Sequence, residues 1–400
     1  MHTGNLRLNL HATVVTFALS LIAFTHAQDV YQGMATHFDA LGSPYGGCGV
    51  PQNLLETQNF LALNAFNTPG NYSTRTRPLT GADTALLGEF NNGGNCGRWA
   101  EVTIGAYCTG TNDGAQNQPF CRGSGAAWND DKYSGAVLDM LVADCCPDAN
   151  AWCRDSRYHL DLATASLNTF AKNGTAVGDM NPDHWNNRKI SWHYIEAPQY
   201  SGDVRIFFMK GSQKYWVAIL VTHLKNGIHG VQQKVGATWT TATRNSDLGQ
   251  SYILPNTSST TYTIRIIDAS NTAINGSREY TFSLPASCAN NCVDDATETT
   301  FTTFDPNTGF SGGTSLKSSQ VRLVFSKGNI LWQSPAGGPA ELTVFDMRGR
   351  FVYGKKFVSA PMGSGVINLK DVRAGTMIIE LTVNNHVVRK LVVSHAAITQ

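Results

Sequence analysis

The amino-acid sequence predicts a mostly β protein, and three observations carry that expectation. Segments such as WAEVTIGAY, KISWHYIEA, YWVAILVTH, TYTIRIIDA and TMIIELTV alternate apolar and polar residues with period two, between Gly, Asn and Pro turns. Helical periodicity is scarce, and 134–142 and 164–172 are the best short helices. Seven of the nine cysteines fall between Cys48 and Cys153. In an exported chain that density reads as disulfides stapling a loop-rich domain.

Taken in order, residues 1–27 read as an export signal. Arg7 gives a thin positive region, 12–24 an apolar run, and Ala27 a small residue at the cut. The run is shorter than the ~20 apolar residues a spanning helix needs. A cysteine-rich β domain follows over 28–198, then a β domain without cysteines over 199–287. Residues 288–319 are polar and rich in Thr, Ser and Gly, which reads as a linker. A last small β module fills 320–400.

Cys288 and Cys292 can close a small loop on their own. Seven cysteines then remain, which leaves one free thiol or a bridge between domains. Zinc is the rival use, but CC followed by Cys153 is poor ligand spacing and no His sits in register. The eleven histidines show no HExxH-type spacing. Thirty basic against twenty-nine acidic residues give a net charge of +1, with nothing to steer nucleic acid or an anionic membrane. GGNCG and SGGTS open no helix, so no phosphate loop is expected.

In YHLDLATASLNTF (158–170), strand alternation puts Leu160 and Leu162 toward the core and His159 and Asp161 on the opposite face. A partly desolvated Asp161 suits a proton donor or a hydrogen-bond partner for a sugar oxygen. Alternatively, Asp161 caps the helix that starts beside it.

GMATHF followed by GGCG, LALNAFNT, CGRWAEVTI, VADCCPDA, YHLDLATASLNTF and KISWHYIEAP resemble, in that order, the six-stranded double-psi β-barrel of expansins and microbial expansin-like proteins. DVRIFFMKGSQKYWVAILV resembles the opening of the expansin second domain, an immunoglobulin-like β-sandwich. The resemblance runs from about 31 to 287. It implies that Asp161 is the aspartate needed for activity, that Asp144 supports it, and that Thr36 lies beside it in the groove. It implies a sugar contact at Phe38. Cys146 stands where microbial expansins often carry an aromatic. In the second domain it implies that Tyr215 and Trp216 stack on glucan rings, since a flat ring covers the CH face of a pyranose. Alternation on a strand turns one of that pair inward. A third aromatic is usual; this chain has polar residues around Asp247, with Trp239 or Tyr252 as substitutes.

Related barrel endoglucanases invert the sugar and need an acid and a base about 6.5–9.5 Å apart. Their base follows the opening Thr by four residues, which is Ala40 here. Asp39 is one residue short, and one step along a strand flips the side chain, although a bulge can restore it. The sequence therefore predicts a groove that grips without cutting. Hydrolysis by Asp161 with Asp39 or another carboxylate is the alternative, and pure carbohydrate binding a third.

AELTVFDMRGRFVYGKK and INLKDVRAGTMIIELTVNNHVVRKLVV resemble the C-terminal sorting domain of proteins exported by the type IX (Por) secretion system. The matching residues are Asp346, Gly349, Arg350, Leu369, Gly375 and Lys390, with Thr376 and Met377 in place of the usual aromatic. The alternative is an ordinary immunoglobulin-like accessory module. Together these resemblances imply a secreted or surface-attached monomer from a Gram-negative bacterium. Its partners are cellulose, xyloglucan, xylan or other β-glucans and the type IX machinery. No metal, cofactor or nucleic acid is expected.

Overall fold

The structure, a computed structural model, describes residues 29–306 continuously and strand segments within 310–394. The expected signal segment, 1–27, lies outside the described residues. So do Gly349 and Leu369 of the tail motif.

Six strands make the barrel of the first domain: β1 (Tyr31–Phe38), β2 (Phe60–Asn64), β3 (Trp99–Cys108), β4 (Val137–Cys146), β5 (Leu160–Ala163) and β6 (Arg188–Ile195), and three two-residue strands extend its sheet. They are hydrogen-bonded in the order β3-β6-β1-β5-β2-β4, and β4 pairs back onto β3. The sheet therefore closes on itself as the expected six-stranded barrel. Two pairs are parallel, β1 with β5 and β2 with β4; the others are antiparallel. Alternate residues fill the barrel, among them Ala35, Leu61, Leu63, Val142, Leu160 and Leu162. The next residues along the same strands face out, where Phe38, Phe60, Leu141, Ala143 and Ala163 form a separate cluster.

Two expected helices are corrected. Residues 137–146 form β4 because this apolar stretch is buried on both faces, which hides the alternation that marks a strand. Thr164–Thr169 is a 3₁₀ turn, and Ala171–Lys172 then pairs with Val137.

Nine main strands and two short edge strands build the second domain, the main ones being β7 (Arg205–Met209), β8 (Ala218–Thr222), β9 (Gly230–Val235), β10 (Thr238–Thr241), β11 (Ser251–Ile253), β12 (Thr261–Ile267), β13 (Glu279–Ser283), β14 (Ala296–Thr299) and β15 (Phe301–Asp305). One sheet runs β11-β8-β7-β14, with Thr243–Arg244 at its edge. The other runs β10-β9-β12-β13-β15, with Phe310–Gly312 at its edge. Their facing sides share one core that includes Ile206, Phe208, Ile219, Val221, Ile264 and Phe282.

The linker expected over 288–319 is corrected here. β14 pairs with β7 and β15 with β13, so both sheets continue through that segment. Its strands are rich in Thr and mostly half-buried, a composition that reads as loop; within them only Phe301 is buried. Residues 313–319 lie outside the described residues.

The outer face of β7 and β8 packs on the barrel. Phe207, Met209, Ala218 and Leu220 meet Val50, Tyr45, Leu54 and Leu55 from a barrel loop. Backbone bonds reinforce the joint, from Gln250 N to Cys48 O at 3.2 Å and from Ala197 N to Lys225 O at 2.8 Å.

In the tail, β16 (Arg322–Ser326), β17 (Asn329–Gln333) and β20 (Ser364–Asn368) form one sheet. The strands β18 (Gly338–Asp346), β19 (Phe351–Ser359), β21 (Gly375–Val383) and β22 (His386–Ser394) form the other. Ile330, Trp332, Leu342, Val344, Ile379 and Leu381 share a core. The hairpin after β18 is tied by Asp346, whose Oδ1 accepts from the Arg348 and Arg350 backbones. No helix among the described residues is long and apolar enough to cross a membrane.

Candidate functional site

Strand register assembles the site. Thr36 on β1 is opposite Asp161 on β5, Asp161 is opposite Ala62 on β2, and Ala62 is opposite Asp144 on β4. Residues opposite one another in a sheet share a face. The row Thr36, Asp161, Ala62, Asp144 thus lies across the outer face of four adjacent strands. Neighbouring strands are about 4.8 Å apart, which puts the two aspartate backbones on the order of 10 Å from each other.

Asp144 reaches this face because of a bulge. The β2–β4 register shifts between Leu61 and Ala62, and Ala143 is the extra residue. Without it, Asp144 would follow Val142 by the ordinary period and point into the barrel. With it, Asp144 faces out and Cys145 faces in, where the barrel core receives it.

Each acid has its own environment. Asp161 Oδ1 accepts from Thr36 Oγ1 at 2.8 Å, and Thr36 itself is buried. Burial pushes the Asp161 carboxyl up to about 6; the Thr36 bond opposes this, and the charges of Asp148 and Asp144 add to it. Asp144 Oδ1 accepts from Gly47 N at 2.6 Å and from Cys145 N at 2.8 Å. Burial raises its pKa also, against the pull of those two N–H groups and of Arg77. Gly46 and Gly47 are needed for this approach. A Cβ on Gly47 would stand 2.7 Å from Cys145 Sγ, and one on Gly46 2.9 Å from the Ala143 carbonyl.

The alternative role of Asp161 as a helix cap does not hold. Its side chain bonds Thr36, and Ala163, not Asp161, stands at the head of the 3₁₀ turn that follows, with no side-chain cap. His159, expected on the same side as Asp161, does reach Thr36 there, with Nε2 3.0 Å from Oγ1, but it is fully buried. Asp39 is exposed, in the bend after β1. Its charge acts on His37, and it is not among the charges acting on Asp161.

Sequence reasoning missed Asp148. This exposed residue lies in the loop after β4. The buried Arg154 fixes that loop by donating to the Asp148 carbonyl at 2.9 Å and the Pro147 carbonyl at 3.1 Å. A Cys146–Cys153 disulfide closes it. The short spacing of those two cysteines, with Arg154 next to the second, was the available signal. Arg77 was missed as well. It contacts the thiol of Cys145 and pairs with Asp247 of the sandwich at 3.1 Å, and no local pattern marks a partner so distant in the chain.

Phe38 flanks the row and meets Phe60 edge-on at 5.5 Å. Tyr215 and Trp216 sit in a tight turn between β7 and β8, where Gln213 and Trp216 exchange both backbone bonds. Because they are in a turn, alternation does not send one inward: Tyr215 is 68% exposed and Trp216 38%. Trp239 lies on β10, in the other sheet. The Arg265 guanidinium covers its ring at 4.6 Å, and Lys234 lies 5.6 Å from the ring centre. The structure thus brings Thr36, Asp161 and Asp144 together and leaves Trp239 on a different sheet from Tyr215 and Trp216. Tyr252 is buried in the sandwich core.

Three further disulfides join Cys48 to Cys96, Cys108 to Cys121 and Cys288 to Cys292; Cys145 is free and buried. Burial pushes its thiol up to about 12, which makes it inert at neutral pH. Among the described residues, Cys146, Cys153 and His159 place ligand-type atoms within 4.8 Å of one another. Both sulfurs are spent in a disulfide and His159 Nε2 meets Thr36, so the group is not a metal-ligand set as built.

No protein-family model matches the chain, and no curated protein matches it. Among solved structures, the apo expansin of Clavibacter michiganensis aligns at 18% identity with a TM-score of 0.41. A variant of that expansin in complex with cellohexaose aligns at 17% identity with a TM-score of 0.40. Each alignment covers 68% of this chain and 96% of the other. TM-scores of that size leave the fold to be argued from the strand pairing above.

Proposed function

We propose that this protein is an expansin-like factor that binds plant-wall β-glucan and loosens it without hydrolysis. The outer barrel face grips a glucan chain through Asp161, Thr36 and Asp144, and the Tyr215–Trp216 turn holds the polymer by stacking. The observation that carries the reading is the unequal state of the two aspartates. Asp161 is poised near neutrality as a hydrogen-bond donor, while Asp144 already has one oxygen committed to two backbone N–H groups. Asp144 is thus a fixed acceptor for a sugar hydroxyl rather than a base aimed at water. Export by the N-terminal segment and sorting by the tail through the type IX machinery complete the proposal. Cellulose is the first substrate to test, with xyloglucan and xylan beside it.

One observation favours a second reading, an inverting glucanase. Asp148 is an exposed carboxylate whose charge is felt at Asp161, as a base across a groove would be. Three variants separate the readings. Asp161→Ala is expected to keep cellulose binding and lose the weakening of filter paper. Trp216→Ala is expected to weaken binding about tenfold. Weakening and binding both unchanged in Asp161→Ala would show that the groove does nothing and overturn the proposal. Reducing ends released from soluble β-glucan, and abolished in Asp148→Asn, would establish the hydrolase.

A further inference from the structure

We infer that His159 is a positioning residue for Asp161: its Nε2–H donates to Thr36 Oγ1 and thereby commits the Thr36 proton to the Asp161 carboxyl. The inference rests on reading Asp161 as the working acid of the groove.

A threonine hydroxyl has one proton to give and two lone pairs to receive with. Thr36 Oγ1 is 2.8 Å from Asp161 Oδ1 and 3.0 Å from His159 Nε2. A carboxylate only accepts, so the Thr36 proton goes to Asp161. The second contact is then a hydrogen bond only if Nε2 carries a hydrogen. His159 has no exposed surface, and burial pushes its pKa down to about 3, against an opposing pull from the Met34 backbone. Its ring is therefore neutral and holds one proton for two nitrogens. Nδ1 is buried and has no partner of hydrogen-bond geometry; the Met34 backbone pulls on the ring only through a looser contact, whereas Nε2 lies at full hydrogen-bond distance from Thr36. A bare ring nitrogen left unpaired costs less than a buried N–H left unpaired, so the proton belongs on Nε2.

The consequence concerns the outer oxygen. Thr36, held as a donor to Oδ1, cannot turn round to accept from Asp161. When Asp161 takes up a proton, that proton stands on Oδ2, the oxygen that Thr36 does not hold. His159 thus selects the oxygen from which the acid donates to a sugar. The other groups acting on Asp161 are the carboxylates of Asp144 on β4 and Asp148 in the loop after it. Neither can supply a proton to Thr36 in their place when ionised.

The test is a nuclear magnetic resonance measurement on the full chain, and it needs no sugar. Nitrogen shifts of His159 report its tautomer, and the carboxyl carbon of Asp161 reports its titration midpoint. The Nε2–H tautomer is expected from pH 5 to 8. His159→Phe is expected to raise the Asp161 midpoint by about half a pH unit, the order of one weakened hydrogen bond. His159→Gln, which keeps a donor, is expected to stay near the parent. In a Thr36→Val background His159→Phe should add nothing. An Nδ1–H tautomer, an unmoved midpoint, or a shift that survives Thr36→Val overturns the inference. If His159→Phe does not fold, the parent tautomer and His159→Gln still decide it. Failure of the loosening assay would leave these readouts intact, so the two ideas fall separately.

Discussion

At the scale of a residue, Asp161 holds a conflict between stability and work. Its carboxyl is raised by burial to about 6. A raised acid in the folded state stabilises the fold while it is protonated, and that contribution is lost as pH rises from about 4 through 6. Asp161→Asn keeps an acceptor for Thr36 and carries no charge to desolvate. It should therefore be more stable than the parent at pH 7, by about 1–2 kcal/mol, and indistinguishable from it at pH 4. Thermal melts at the two pH values check this. The same group sets a pH profile for function. If the neutral acid donates to glucan oxygens, weakening of cellulose is full below about pH 5 and falls as pH passes 6, while binding through the aromatic turn does not change. Asp161 was legible in the sequence, since Leu160 and Leu162 bracket it with the right period, and Thr36 came from the resemblance of its opening motif. His159 was legible only in part. Alternation gave its side, since it touches Thr36, but not that it is fully covered there.

At the scale of an element, irregularities place the functional groups. Strict alternation along β4 would have turned Asp144 into the barrel, and the apolar run before it read as a helix. A bulge leaves no local sequence mark, because it is defined against the partner strand. Deletion of Ala143 removes the extra residue and forces Asp144 inward or breaks the pairing of Cys145 with Leu63. Denaturant unfolding should show a loss of about 2–4 kcal/mol, the cost of an unpaired buried carboxyl or a broken strand pair. The turn at Gln213–Trp216 is a second irregularity. Adjacent aromatics on a strand would split between faces, whereas the turn exposes both. Tyr215→Ala and Trp216→Ala should each weaken cellulose binding about tenfold without changing stability, as stacked rings of their size imply. Pull-down isotherms with parallel melts measure both.

At the scale of the whole molecule, the barrel and the sandwich share a packed apolar joint, and β7 and β8 are buried on both faces for that reason. Their unbroken apolar runs were visible in the sequence, but the second buried face was not. The Thr-rich strands β14 and β15 hid for the opposite reason, since their residues are polar and mostly half-buried. Arg77 and Asp247 clamp the same joint beside the buried Cys145 thiol. Asp247→Ala should cost about 2 kcal/mol and separate a single calorimetric transition into two, since it leaves the Arg77 charge without its partner across the joint. One rigid body would let the groove and the aromatic turn engage the same polymer.

The account rests on gripping without cutting. The most direct measurement follows tensile weakening and soluble reducing ends together, on the same cellulose sheets, over a long incubation with the purified protein and its Asp161→Ala variant. The account predicts weakening by the parent, none by the variant, and no reducing ends above the buffer from either. Reducing ends that accumulate steadily with the parent and vanish with the variant would contradict it.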